Sequence, residues 1–124
     1  MPTLGDLMNR NVVTVGPEAP VCQAAAAMVQ AGVGSAVITQ GLFVAGILTE
    51  RDVLRAAASR QDLCSTPVSE WMTADPQTAG PDASPDEAAQ IMLLNGFRHL
   101  PVVDGRELCG VVSLRELFAA GIRR

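Results

Sequence analysis

Residue n and residue n + 64 match without a gap from Leu4 over Val68 to Arg60 over Arg124, a register that takes in nearly all of this 124-residue chain. The identical pairs include Met8 and Met72, Thr14 and Thr78, Gly16-Pro17 and Gly80-Pro81, Ala24-Ala25 and Ala88-Ala89, Met28 and Met92, Gly32 and Gly96, Gly46 and Gly110, and Arg51 and Arg115. Identity at about one position in four, with glycines and prolines in step, marks two copies of one supersecondary unit. The expectation is a pseudo-twofold protein with one repeat over residues 1–62 and the other over 63–124.

Each copy opens with a short amphipathic turn, Leu4 to Met8 and Val68 to Met72, followed by an extended piece, Val12 to Val15 and Gln77 to Ala79. In the second copy Ser84, Pro85 and Glu87 form a helix-start signature, so the spacing predicts a helix from Pro85 to Asn95 that stops at Gly96. The first copy has Pro20 where the capping serine would stand, and Gly32 as its stop. Two strands follow in each copy, Ser35 to Thr39 with Leu42 to Leu48, and His99 to Val103 with Leu108 to Val112, the latter joined by an Asp104-Gly105 turn. Closing helices are expected over Glu50 to Ala58 and Leu114 to Gly121. The order is β-α-β-β-α, written twice, an α/β (α+β) fold in which the copies cover each other's apolar sheet faces. Val37, Ile38, Ile47, Leu48, Val102, Val103, Val111 and Val112 are the candidate core, and the Ala24–Met28 and Ile91–Leu94 stripes suggest a surface for a homodimer partner.

Composition narrows the function. The net charge of −4 and the pI near 4.8 disfavour nucleic acid or an anionic membrane as partner. All nine basic residues are arginine, which excludes a Walker-type phosphate loop and a Schiff-base lysine. Cys22, Cys64 and Cys109 are odd in number and widely spaced, and His99 is the single histidine, so the cysteines read as buried or bystander thiols rather than a disulfide framework or a metal site. No secretory signal pattern opens the chain and no apolar run reaches the length of a membrane span, so a cytoplasmic location is expected. No catalytic motif is present: there is no nucleophile elbow, paired-carboxylate cleft or glycine-rich dinucleotide fingerprint.

Two equivalent phrases carry the chemistry, Gly46-Ile47-Leu48-Thr49-Glu50-Arg51-Asp52 and Gly110-Val111-Val112-Ser113-Leu114-Arg115-Glu116. Each is an apolar strand that turns at a hydroxyl into a helix, leaving a carboxylate and an arginine beside the unpaired N–H groups of the first turn. Both tetrapeptides are also ordinary capping boxes, a role that needs no ligand.

The tandem β-α-β-β-α units and the Gly46-to-Asp52 phrase resemble the cystathionine-beta-synthase (CBS) domain family, whose paired domains form a Bateman module. So do the Asp6-Leu7-Met8 opening, Thr14-Val15-Gly16-Pro17, and the Arg98-His99-Leu100-Pro101-Val102-Val103 strand. The resemblance implies a non-catalytic module that binds an adenosine-containing ligand such as AMP, ADP, ATP, NAD or S-adenosylmethionine between its repeats, often as a dimer, and reports metabolite or energy state to an effector protein. No cofactor is required.

Carried over to this chain, Asp52 would hold the ribose hydroxyls, Thr49 and Arg51 would serve the phosphate, and Thr78, Phe97, Arg98, His99 and Pro101 would complete the site. A second set, Val15, Gly34, Ser35, Ser113, Arg115 and Glu116, departs from the pattern. Glu116 replaces the aspartate, and Gly34-Ser35 stands where the other copy has Arg98-His99, so this site is expected to be weak or empty. Two other readings are a dimerisation or docking module with no small-molecule ligand, and a regulatory piece of a larger enzyme or transporter.

Overall fold

The computed structural model describes residues 2–121; Arg124, matched to Arg60 in the repeat register, lies outside the described residues. In chain order the elements are α1 (Leu4–Leu7), β1 (Thr14–Val15), α2 (Val21–Ala31), β2 (Ser35–Gln40), β3 (Phe43–Thr49) and α3 (Glu50–Ala58). A 3-10 turn (Val68–Glu70) opens the second half, which continues as β4 (Thr73–Ala74), α4 (Pro85–Asn95), β5 (His99–Asp104), β6 (Glu107–Ser113) and α5 (Leu114–Ala119). The mixed α+β class and the doubled element order match the sequence expectation.

Local chemistry explains the main helices. Ser84 caps α4 by accepting from the Glu87 N–H, Pro85 occupies the first helical position, and Gly96 ends the helix at φ 76°. Gly32 ends α2 in the same way at φ 70°. The hairpin loops lie one residue later than the Asp-Gly signature implies. Asp104 still pairs with Glu107, so the loop is Gly105-Arg106, and its counterpart is Gly41-Leu42 between Gln40 and Phe43. Ala45 and Cys109 are the extra residues at equivalent breaks in register, so both hairpins carry a bulge at the same place.

The chain divides into two compact units, and they do not follow the sequence repeats. One unit runs from Val13 to Pro76. Its sheet is β1 parallel to β2, β2 antiparallel to β3, and β3 antiparallel to β4. Its core is Val21, Ala24, Met28, Ala36, Ile38, Leu48 and Val68, with Trp71 and Met72 packed against it. The other unit joins the residues up to Val12 to those from Gln77 onward. In it β5 and β6 pair antiparallel, Ala79 bridges Val102 in parallel, and Asn9 bridges Val111. Its core is Leu4, Ala88, Ala89, Met92, Leu100, Val102, Val112 and Leu117.

Each unit thus takes its opening segment from the other repeat. The Leu4 and Gly5 N–H groups donate to Ala83 O and Pro81 O at 3.0 and 2.8 Å, while those of Val68 and Ser69 donate to Ala19 O and Pro17 O at 2.8 and 3.2 Å. The repeated glycines make the docking possible. A Cβ on Gly46 would lie 2.5 Å from Met72 Sδ and 2.9 Å from Thr73 O, and one on Gly110 would lie 2.8 Å from both Met8 Sδ and Asn9 O. The Met8/Met72 and Gly46/Gly110 identities are therefore two sides of one contact. The extended piece expected at Gln77 to Ala79 contributes only the Ala79 bridge, while β4, which the sequence did not suggest, forms where the second opening segment crosses β3.

The candidate core residues are buried except Val103, which is half-buried. Ala24 and Met28 are core, so the Ala24–Met28 stripe is not the free surface it was expected to be. Cys22 and Cys64 are disulfide-bonded, which corrects their reading as bystander thiols; Cys109 alone is a free thiol. Pairings across 42 residues depend on where the chain returns in space, and spacing alone does not reveal it.

Candidate functional site

At the end of β3 the chain leaves the sheet through Thr49, whose extended backbone (φ −112°, ψ 168°) makes it the N-cap of α3. Asp52 turns back onto this cap. Its Oδ2 accepts from the Thr49 N–H at 2.9 Å and from the Thr49 hydroxyl at 3.1 Å, and its own N–H donates to Thr49 Oγ1 at 3.4 Å. The other carboxylate oxygen, Oδ1, accepts from Arg55 Nη1 at 3.2 Å. Asp52 is only 7% exposed, an unusual degree of burial for a carboxylate, and these contacts stabilise its charge there. The Glu50 N–H donates to Gly34 O at 3.0 Å, and Ser35, buried, pairs directly with Thr49. Arg51 is exposed on the first turn of α3.

The other unit repeats the construction with different chemistry. Ser113 caps α5, its N–H donating to Glu116 Oε1 at 2.9 Å, and the Glu116 N–H donates to Ser113 Oγ at 3.1 Å. Glu116 and Arg115 are exposed. The Leu114 N–H donates to Arg98 O at 2.9 Å, and His99 pairs with Ser113. Arg98 is exposed, His99 and Thr78 are half-buried, and Phe97 is half-buried against the core that contains Met92 and Leu100. Pro101 is fully buried.

Each predicted set is divided between the units. Val15, Gly34, Ser35, Thr49, Arg51 and Asp52 belong to one, and Thr78, Phe97, Arg98, His99, Pro101, Ser113, Arg115 and Glu116 to the other. Within the first unit, Gly34 and Ser35 meet the Thr49–Asp52 turn; within the second, Arg98 and His99 meet the Ser113–Glu116 turn.

Sequence reasoning missed the group behind Asp52. Arg55 lies on Asp52, and its guanidinium carbon also stands 5.5 Å from the centre of the Trp71 ring. Trp71 Nε1 donates in turn to Gln61 Oε1 at 3.1 Å. The i, i+3 spacing of Asp52 and Arg55 was the readable signal; the equivalent position in the second repeat is Ala119. A third carboxylate of the same kind helps to separate capping from function. Asp6 accepts from the Thr3 N–H at 2.9 Å, which holds its carboxyl below the ordinary aspartate range, yet Asp6 is exposed and heads a helix of only four residues. Capping therefore accounts for Asp6, while Asp52 adds burial and an arginine partner.

Among the described residues no cluster of three or more His, Cys, Asp or Glu could hold a metal ion, and no helix is long and apolar enough to cross a membrane.

A family model described as "CBS domain" matches residues 4–59 and again 68–123. The chain belongs to the CBS domain family. This CBS pair is 36% identical over 118 residues to the CBS domain-containing protein YhcV of Bacillus subtilis, covering 94% of this chain and 84% of that protein. A solved CBS-domain containing protein from Agrobacterium tumefaciens is 32% identical with a TM-score of 0.87, covering 97% of this chain and 99% of the other. A CBS domain protein from Pyrobaculum aerophilum, solved in complex with AMP, is 30% identical with a TM-score of 0.86, covering 92% of this chain and 88% of that one.

Proposed function

We propose that this CBS pair is a non-catalytic, cytoplasmic regulatory module that binds an adenosine-containing ligand and passes the ligand state to an effector protein. The observation that carries the reading is the buried, capped and arginine-backed carboxylate of Asp52, in a chain 30% identical to a protein solved with AMP. A short acceptor-only carboxylate suits vicinal ribose hydroxyls, and a helix N-terminus with an exposed arginine suits phosphate. Asp52 takes the ribose, and Thr49 and Arg51 serve the phosphate. In the other unit we assign ligand contact to Thr78, Phe97, Arg98, His99 and Pro101, with Arg98 and His99 as the sources of positive charge. Val15, Gly34, Ser35, Ser113, Arg115 and Glu116 form the weaker set. AMP is the first ligand to test, ahead of ADP, ATP, NAD and S-adenosylmethionine.

Calorimetric titration of the full chain with these compounds, repeated on Asp52→Ala, Asp52→Asn and Arg98→Ala, tests the assignment. Heat with at least one of them, weakened in all three variants, supports it; no heat with any adenosine compound defeats it. Asp52→Asn keeps an acceptor for the Thr49 cap, which separates loss of charge from loss of fold. Signalling further requires that the ligand bind two conformations unequally.

One observation favours a second reading, a homodimerisation module without a ligand. Val29 and Leu93, and likewise Leu54 and Phe118, occupy equivalent positions in the two repeats, and all four are exposed. That reading predicts a stable dimer by light scattering whose melting temperature does not move when nucleotide is added.

A further inference from the structure

Helix α2 begins at Pro20, which offers no side-chain cap, and the chain that returns forty residues later supplies what Pro20 lacks. The Val21 and Cys22 N–H groups donate to Thr66 O and Leu63 O at 2.9 and 3.0 Å, and the Cys22–Cys64 bond fastens that returning segment to the helix. Asp62 shapes the segment: its carboxylate accepts from the Cys64 N–H at 3.1 Å and the Ser65 hydroxyl at 3.0 Å, and its carbonyl accepts from the Thr66 hydroxyl at 2.8 Å. At its start stands Gln61, whose Oε1 receives both Trp71 Nε1 and, at 3.4 Å, the Thr66 hydroxyl. Cys64 is thus tied to Asp62, and from Gln61, the residue before it in the chain, contacts run through Trp71 and Arg55 to Oδ1 of Asp52, all within the unit from Val13 to Pro76.

We propose that Cys22 and Cys64 form a thiol–disulfide exchange site whose redox state sets how firmly Asp52 is held for its ligand. The chemistry is accessible. Cys64 is exposed and Cys22 half-buried, so the sulfur of Cys64 is the one an incoming thiolate reaches. A dithiol reductant attacks Cys64 to give a mixed disulfide, and Cys22 departs as a thiolate at the positive end of α2. The reductant's second thiolate then displaces Cys64. Two electrons and two protons pass to the protein, which gains two thiols, and the dithiol leaves as a disulfide; a small-molecule disulfide reverses the exchange.

With the bond closed, the returning segment holds Gln61 on Trp71, and the ring seats Arg55 against the carboxylate. With it open, the segment keeps its backbone hydrogen bonds to Val21 and Cys22 but loses its covalent tie to α2, the Trp71 platform loosens, and the carboxylate is less well oriented. The affinity part of this proposal rests on the adenosine reading above; the exchange site and its link to Trp71 do not.

The test uses the full chain prepared with a small-molecule disulfide or with dithiothreitol. Alkylation read by mass spectrometry should modify only Cys109 in the first preparation and all three cysteines in the second. Because Trp71 is the only tryptophan, its emission reports the segment directly, and it should differ between the two preparations. Cys64→Ser should show the reduced emission in both. AMP should bind about fivefold more weakly to the reduced form, and Gln61→Ala should keep the disulfide while abolishing that difference. Alkylation of Cys22 and Cys64 under oxidising conditions overturns the exchange site. Identical emission and melting temperature in the two states overturn the link to Trp71. Equal AMP affinity in both states overturns the effect on Asp52. A redox-dependent Trp71 emission with no AMP binding in either state defeats the adenosine reading and the affinity effect together, while supporting the exchange site.

Discussion

The two repeats place a hydroxyl N-cap and a carboxylate at the same point of the same fold, yet the surroundings diverge. Asp52 is short, buried and backed by Arg55; Glu116 is longer and exposed, and its i+3 position is Ala119. The comparison teaches that a capping box is the inherited scaffold, and that burial and the second neighbour decide what else the carboxylate can do. The helix starts diverge in the opposite sense. The second repeat caps α4 locally with Ser84, whereas the first leaves α2 to be capped by a returning chain segment and a disulfide.

The largest expected effect breaks the symmetry of the carboxylates. Asp52→Asn should weaken AMP binding at least tenfold, the loss of about 1.5–3 kcal/mol for a hydrogen bond to a charged group, while Glu116→Gln should change it less than about twofold; calorimetry on both variants decides. Next come the two opening-segment contacts, where the repeats should behave alike. Gly46→Ala and Gly110→Ala should each destabilise the protein by about 2 kcal/mol in urea unfolding, because the added Cβ meets backbone oxygen that cannot step aside. A large difference between them would show that the two docked segments are not equivalent.

Smaller effects sharpen the contrast between helix starts and between carboxylates. Ser84→Ala should cost about 1 kcal/mol, whereas Pro20→Ala should cost measurably less, since Pro20 contributes no capping side chain. Arg55→Ala should cost only about 0.5 kcal/mol, because the arginine side chain is 60% exposed, but it should alter Trp71 emission. The smallest effect concerns Asp6. Its carboxyl, held low chiefly by the backbone hydrogen bond from Thr3, should titrate below an ordinary aspartate in an NMR pH series. The sign follows: the folded state binds this proton less readily than the unfolded chain, so the contribution is present above the unfolded value and is lost as pH falls through the folded one.

Much of the local structure was legible. The bounds of α4 followed from Ser84, Pro85 and Gly96, and those of α3 from Thr49 and the apolar run before it, because caps and stops act within a few residues. The carboxylate turns were legible for the same reason. Arg55 was within reach of an i, i+3 reading, but Trp71 and Gln61 were not, since their meeting depends on where the opening segment of the second repeat docks.

Duplication, element order and helix limits were written in the amino-acid pattern, because hydrophobic periodicity and capping chemistry are short-range. Which opening segment covers which sheet could not be read there: the paired Met8/Met72 and Gly46/Gly110 positions serve either assignment equally, and only folding breaks the tie. The same holds for Cys22 and Cys64 and for the burial of Asp52. Each is a distance between residues far apart along the chain, set by how the core packs and by no residue's own preference.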